Sequence, residues 1–418
     1  MKEKFSVSFT TFSDGERYPL LLNEKGQPHW YATLYATTQI RNASKAPNTI
    51  AAVLASIRIL FSWSCSQKQN LEHRFSQRKF LNEQELESLR QYTQTKTEGS
   101  DNQKIKIFPR KIEKIRGAFK ASKDRISSGT QYIRITYIAD YLEWLAIRLV
   151  EREAQQVDAG TLKLIQRMTN SLRARRPQKT VRSREGARKG LTEEQQEALL
   201  SLIQPGSVKN PFSQELQARN QLVVLLLYHL GLRAGELLAL RVSDFDFQKN
   251  TVLVARRHDN PNDIRTYQPV VKTIDRRIPL ADPLVKAVSE YVMGERRRFP
   301  AAKRHDYLFV VHQIGPFSGQ PISLKGLAKV FQEIQTTEPA LFKHLTPHVL
   351  RHTANDRFSA LMDKRGASPA EEEKMRSYLM GWKEGSGTAG TYTRRHTENK
   401  AREAALLLQQ SMKEASHA

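Results

Sequence analysis

Through the N-terminal stretch, apolar and polar positions alternate weakly, in KFSVSFTTF and then in RYPLLLNEKGQPHWYATLYATT. The NEKGQP between apolar runs has the chemistry of a turn. Residues 1–42 are therefore expected to form a strand-rich extension. From Ala43 the period changes. Ile50, Val53, Leu54, Ile57 and Phe61 recur at the spacing of one helix face. LNEQELESLRQYTQ predicts a second helix with Asn82 as its N-cap. QYIRITYIADYLEWLAIRLV predicts a third, with Ile133, Tyr137, Tyr141, Trp144 and Leu145 on the apolar side. Lys and Arg fill the intervals, as in KIKIFPRKIEKIRGAFKASKDR, so residues 43–172 read as a helical domain with a basic face.

The apolar pattern then stops. RARRPQKTVRSREGARKG, from Arg173 to Gly190, holds almost no apolar residue and one acid, Glu185. Such a segment has nothing to bury, which predicts an extended basic linker over 173–189. LTEEQQEALLSLIQ opens the next domain, 190–418, with Thr192 and Gln195 spaced as a capping box. RNQLVVLLLYHLGL is apolar all round, as a buried helix is. TVLVARR, TYQPVVKT and RRIPL predict three short strands. Asp282 and Pro283 open a further helix, Asp as N-cap, with Leu284, Ala287, Val288, Tyr291 and Val292 as its stripe. The remainder reads as helix, broken at Pro300, Gly315 and the glycine-rich GSGTAG. The fold class expected is mainly α with a small antiparallel β-sheet.

Charge narrows the function. Lys and Arg number 67 against 43 Asp and Glu, a net charge of +24. A chain this basic points to a polyanion, nucleic acid first. The single cysteine, Cys65, excludes an internal disulfide and a cysteine-held zinc, and its apolar helical setting predicts a buried, inert thiol. The N-terminus lacks the apolar core of a signal peptide. QLVVLLLYHLGL, the longest apolar run, is shorter than the ~20 residues that span a bilayer. A cytoplasmic protein with no membrane partner is expected.

Near the C-terminus, GWKEGSGTAGTYTRRH delivers one phenol, Tyr392, on a glycine-rich segment among cations. With a pKa of about 10, a phenol is a poor nucleophile at neutral pH. Against a phosphodiester it needs cations on the non-bridging oxygens, a base for its own proton and an acid for the leaving oxygen. Arg suits the first task, because its planar charge matches phosphate and does not titrate away. Arg233 follows Gly231 at a break between apolar helices, with Glu236 placed to orient it; a purely structural pair is the alternative. His348 and Arg351 in TPHVLRHTAN are three apart and share a helix face, one a candidate base and the other a second phosphate clamp. Lys272 in VVKTIDRRIPL is a candidate acid at a strand end, or a solvated lysine. Trp382 in LMGW is a candidate phosphate donor and buttress, or a core residue. In the basic linker, Arg173, Arg175, Arg176, Lys179, Arg182 and Arg184 are candidates to track a DNA backbone. Arg256, Arg257 and Arg265 are candidates for further phosphate contacts.

Taken in order, Arg233 in GLRAGE, Lys272 before RRIPL, His348 and Arg351 in HVLRH, Trp382 in LMGW and Tyr392 in TYTRRH resemble the tyrosine recombinase (phage integrase) family over about Leu191 to Met412. The resemblance implies a helical core-binding domain that clamps DNA, a basic linker and a mixed α/β catalytic domain. It implies a site-specific recombinase or integrase of a mobile element, working through a 3′-phosphotyrosine and needing no cofactor and no metal. Tyr392 is then the nucleophile, Arg233 and Arg351 stabilise phosphate charge, Lys272 is the general acid, and His348 assists proton transfer. Trp382 takes a position the family fills with His or Trp, and Glu236 supports Arg233. The implied partners are double-stranded DNA and further copies of the chain, a homo-tetramer on two sites, with accessory DNA-bending proteins as a further class. The apolar patch Ala404–Leu408 is expected either on a neighbouring subunit or on its own domain. A type IB-like topoisomerase, or a DNA-binding protein that keeps the fold without cutting, are the alternatives.

Overall fold

The computed structural model describes residues 5–95, 125–154, 156–178, 190–257, 259–269, 271, 273–383, 401–402 and 404–409. The chain divides into two compact units, Met1–Phe12 with Arg17–Gly186, and Ser13–Glu16 with Ala187–Ala418.

In the first unit, β1 (Phe5–Thr11) and β2 (Arg17–Asn23) form an antiparallel hairpin. The NEKGQP turn follows, where the Asn23 side chain accepts from the Lys25 and Gln27 N–H groups at 3.0 Å each. The chain then enters α1 (Trp30–Tyr35), which runs into a π-helical stretch, Ala36–Arg41. The N-terminal segment is thus half strand and half helix. Tyr31, Ala32 and Tyr35 share a helical face, and with Tyr18 and Leu21 they pack in one core with the helices that follow.

Those helices are α2 (Pro47–Ser66), α3 (Leu71–Ser76), α4 (Glu83–Thr93), α5 (Ser128–Ala154) and α6 (Ala159–Ala174). The expected stripe of α2 is buried throughout. Asn82 and Glu85 close a capping box on α4. Two expectations shift. Cys65 is exposed on the last turn of α2, because Trp63 and Ser64 take the inward side there. On α5, Tyr141 and Leu145 are buried as expected and Tyr137 and Trp144 pack against the core, but Ile133 is half exposed, and Ile135, Ile138, Leu142 and Leu149 complete the buried seam. By length and mean hydropathy α2 alone among the described helices resembles a bilayer span, but 56% of it is buried inside the unit, so it serves as the unit's core helix. Most of KIKIFPRKIEKIRGAFKASKDR lies outside the described residues.

The second unit begins with α7 (Glu193–Leu202), capped by Thr192 and Gln195, then α8 (Gln214–Leu230) and α9 (Ala234–Ala239). A three-stranded antiparallel sheet has the order β3 (Phe245–Asp246), β4 (Thr251–Val254), β5 (Arg276–Pro279). TYQPVVKT supplies no strand among its described residues; the third strand is Phe245–Asp246 instead. Pro269 carries no N–H for a ladder. Ahead of it Arg265 turns inward, donating to the Leu238 and Ile322 carbonyls at 3.0 Å each. Next come α10 (Asp282–Met293), α11 (Leu324–Thr337), α12 (Pro339–Phe342), α13 (Pro347–Lys364) and α14 (Pro369–Met380). Asp282 sits inside α10 rather than at its N-cap, which is Ala281. Leu222, Val223, Val224, Leu226 and Leu227 make α8 the centre of a core that includes β4, α10, α11 and α13. The chain is mainly α with small antiparallel sheets. The leucines 406–408 of the helical tail are exposed.

Candidate active site

The site starts where α8 stops. Gly231 ends the helix with φ +60°, the left-handed conformation that glycine adopts without strain. A Cβ there would also sit 3.0 Å from the Met380 side chain and 3.1 Å from Ala354. The turn puts Arg233 at the N-cap of α9 and Glu236 in the first turn. Glu236 Oε2 accepts from the Arg233 N–H at 3.0 Å, and Oε1 accepts from the Arg233 guanidinium at 3.2 Å. Arg233 stays part exposed while the Glu236 side chain is fully buried.

Glu236 gathers more than Arg233. Arg276 donates from Nη2 to Oε2 at 3.0 Å and Thr273 donates from Oγ1 to Oε1 at 2.8 Å. Arg351 Nη1 lies 3.8 Å from Oε2. A buried carboxylate is expensive unless its lone pairs meet donors, and here they do. Burial pushes the carboxyl up, yet Arg276 foremost, then Arg351 and the Arg233 N–H, hold it below the usual carboxylate range. It is therefore ionised at neutral pH.

Arg351 comes from the second turn of α13 and is buried. Its guanidinium donates to the Gly231 carbonyl at 2.5 Å and the Met380 carbonyl at 3.2 Å, which fastens α13 to the ends of α8 and α14. Trp382, just past α14, is buried with its ring 5.3 Å from the Arg351 guanidinium carbon. His348, on the first turn of α13, is exposed, and its Nε2 is 3.1 Å from Nε2 of His352. One of the two rings must carry its proton on Nε2 to make that bond. Arg233, Arg351, Glu236 and Trp382 are thus brought together, with His348 one helical turn before Arg351.

Lys272 and Tyr392 lie outside the described residues, as do Lys179, Arg182 and Arg184. Arg173, Arg175 and Arg176 are not on an extended linker, because α6 runs to Ala174 and they close it. Arg173 pairs with Asp140 and Glu143, and Arg175 with Glu83 and Glu87. Arg176 stacks over the Tyr132 ring. Arg257 pairs with Asp244. Arg265, buried with Asp263, serves the fold and does not reach a phosphate as expected. Thr273 and Arg276 were missed as site residues. A signal existed: strand parity in RRIP puts Arg276 on the inner face with Ile278 and leaves Arg277 outside. A buried arginine inside the sheet demands an anion.

A family model described as the phage integrase family matches residues 189–399. Tyrosine recombinase XerD of Halalkalibacterium halodurans is 30% identical over 165 residues, 40% of this chain and 46% of that protein. The transposase of transposon Tn916 from Enterococcus faecalis is 26% identical over 197 residues, 46% of this chain and 44% of the other. The chain spans about half the length of these curated relatives. Among solved structures, the Tn1549 transposon integrase in complex with circular intermediate DNA is similar at 20% identity and a TM-score of 0.41, covering 66% of this chain and 78% of that one. XerH site-specific recombinase bound to difH substrate is similar at 15% identity and a TM-score of 0.40, covering 89% and 93%.

Proposed function

The chain belongs to the phage integrase family, and from that premise we propose that it is a site-specific DNA recombinase that cuts and rejoins strands through a 3′-phosphotyrosine. The observation that carries the reading is the convergence on ionised Glu236 of Arg233 and Arg351, two guanidinium groups 118 positions apart in sequence. Three cations, Arg276 included, and one anion leave a net positive pocket, which suits a phosphodiester.

The Tyr392 oxygen attacks phosphorus, the new Tyr–P bond forms and the bond from phosphorus to the 5′-oxygen breaks. The phenol proton leaves to a base, the role assigned to His348, which is exposed on the first turn of α13. The departing 5′-oxygen takes a proton from Lys272. Arg233 and Arg351 hold the charge on the non-bridging oxygens, and Trp382 buttresses Arg351. The phosphotyrosine keeps the energy of the diester, so a second 5′-hydroxyl reverses the step on a new strand without a nucleotide cofactor. The first unit acts as the DNA-clamping domain, and four copies act on two duplexes, since exchange needs four cuts. The names of the transposon-borne relatives support a mobile-element substrate.

The test is a covalent-adduct assay. Incubation with fragmented DNA of the host, denaturation and sequencing of the protein-linked ends map the site. A nicked duplex of that site then traps the adduct. Wild-type chain should form it, and Tyr392→Phe should not while keeping nearly full DNA affinity, because only the nucleophilic oxygen is lost. Adduct formation by Tyr392→Phe would overturn the assignment. Relaxation of supercoils with no exchange between two sites would favour a topoisomerase instead, and binding with no adduct a DNA-binding protein.

A further inference from the structure

We propose that Arg276 is a positioning residue that neutralises Glu236, so that Arg233 and Arg351 keep their charge for the scissile phosphate. The inference deepens the strand-transfer reading and rests on it.

Glu236 sits among three guanidinium groups, and the distances rank them. Arg276 makes a direct bond at 3.0 Å with both side chains almost wholly buried. Arg233 is at 3.2 Å with its side chain part exposed, and Arg351 is at 3.8 Å, beyond hydrogen-bond range. Attraction in a dry site is steep in distance and in burial, so Arg276 takes the largest share of the carboxylate's charge. The same order appears in what holds the Glu236 carboxyl ionised, Arg276 before Arg351.

Arg276 has no route to other work. Its Nε donates to the Leu379 carbonyl at 2.6 Å and its Nη1 to Thr273 Oγ1 at 3.1 Å. These bonds tie β5 to the end of α14. The Ile274 N–H adds a bond to the Gly381 carbonyl at 3.0 Å. Arg276 therefore faces away from solvent, fixed by Leu379, Thr273 and Glu236, while Arg233 keeps an exposed face. With Arg276 removed, Glu236 has one cation fewer and closes on Arg233 and Arg351. Both are then drawn onto the carboxylate, and the phosphate meets a weaker positive field.

This account makes the defect one of phosphate charge, which chemistry can isolate. A methylphosphonate at the scissile position replaces one anionic oxygen by a methyl group and removes that charge. Full-length Arg276→Ala is compared with wild type on two nicked duplexes of the mapped site, one with an ordinary phosphodiester and one with the methylphosphonate. Adduct formation should fall about 10- to 100-fold on the ordinary duplex and by no more than about threefold on the neutral one. Arg276→Lys, which keeps a cation beside Glu236, should recover most of the ordinary activity. A double variant, Arg276→Ala with Glu236→Gln, removes both charges and should outperform Arg276→Ala alone on the ordinary duplex. Equal losses on both duplexes, or no loss on either, would overturn the inference and leave Arg276 a strut between β5 and α14. Should wild type form no adduct with either duplex, the strand-transfer reading itself falls, a result distinct from failure of the Arg276 variants alone.

Discussion

Gly381 and Gly366 have nearly the same backbone, φ +64° and φ +66°, and end neighbouring helices. Their surroundings differ. A Cβ on Gly366 meets nothing within 4 Å, whereas one on Gly381 would lie 2.7 Å from Arg276 Nη1 and 2.9 Å from the Ile274 carbonyl. Conformation alone predicts equal penalties; packing predicts unequal ones. Gly366→Ala should cost about 1 kcal/mol, the left-handed strain. Gly381→Ala adds overpacking against backbone and should cost roughly 2–4 kcal/mol. Thermal or urea melts of the two variants decide between these views, and equal shifts would show that the Gly381 wall is soft. The pair also marks the limit of legibility at this scale. LMGW and DKRG are alike as C-cap signals, and the chain gives no hint that one glycine abuts a buried guanidinium. Arg233, His348 and Arg351 were readable as candidates because each sits at a helix start beside apolar residues, where a charge needs a reason.

Elements with strong local signals were legible, and those set by distant partners were not. The capped helices α4 and α7 and the apolar α8 follow from residues within a few positions of one another. The segment between β4 and β5 does not. TYQPVVKT has strand composition, yet what fixes this connection is Arg265, whose carbonyl partners Leu238 and Ile322 lie 27 and 57 positions away. Its carboxylate partner Asp263, also buried, is bonded at 2.8 Å and accepts from the Tyr307 hydroxyl at 3.0 Å. Breaking one side of such a pair strands the other charge. Arg265→Leu should therefore destabilise the second unit by about 3–5 kcal/mol. Adding Asp263→Leu should restore a good part of that loss, because no uncompensated carboxylate remains. Urea midpoints of the single and double variants test the coupling. Additive losses would mean the two residues act separately, and would remove the case for an electrostatic pin on the β4–β5 connection.

At the scale of the whole chain, a charge of +24 says how basic the surface is but not which cations meet DNA. Many arginines are already employed inside the protein. Arg219 and Arg376 are buried, as are Arg265, Arg276 and Arg351. Arg173 and Arg175 hold carboxylates of their own unit. The basic run 173–184 therefore splits into two groups that are alike in sequence. Arg173, Arg175 and Arg176 close α6, and Lys179, Arg182 and Arg184 follow in the stretch with almost no apolar residue. Changing either trio to Gln removes the same three charges. If net charge alone governs affinity, the two triple variants should lose equally. If cations already held by carboxylates of the protein release few counterions, the second trio, whose sequence offers almost nothing to bury, should flatten the log–log salt dependence of binding by about 2–3 units. The first trio should change the slope by less than about one unit. Salt titrations of both variants on one duplex separate the alternatives, and equal slopes would return Arg173, Arg175 and Arg176 to the set of DNA-tracking cations.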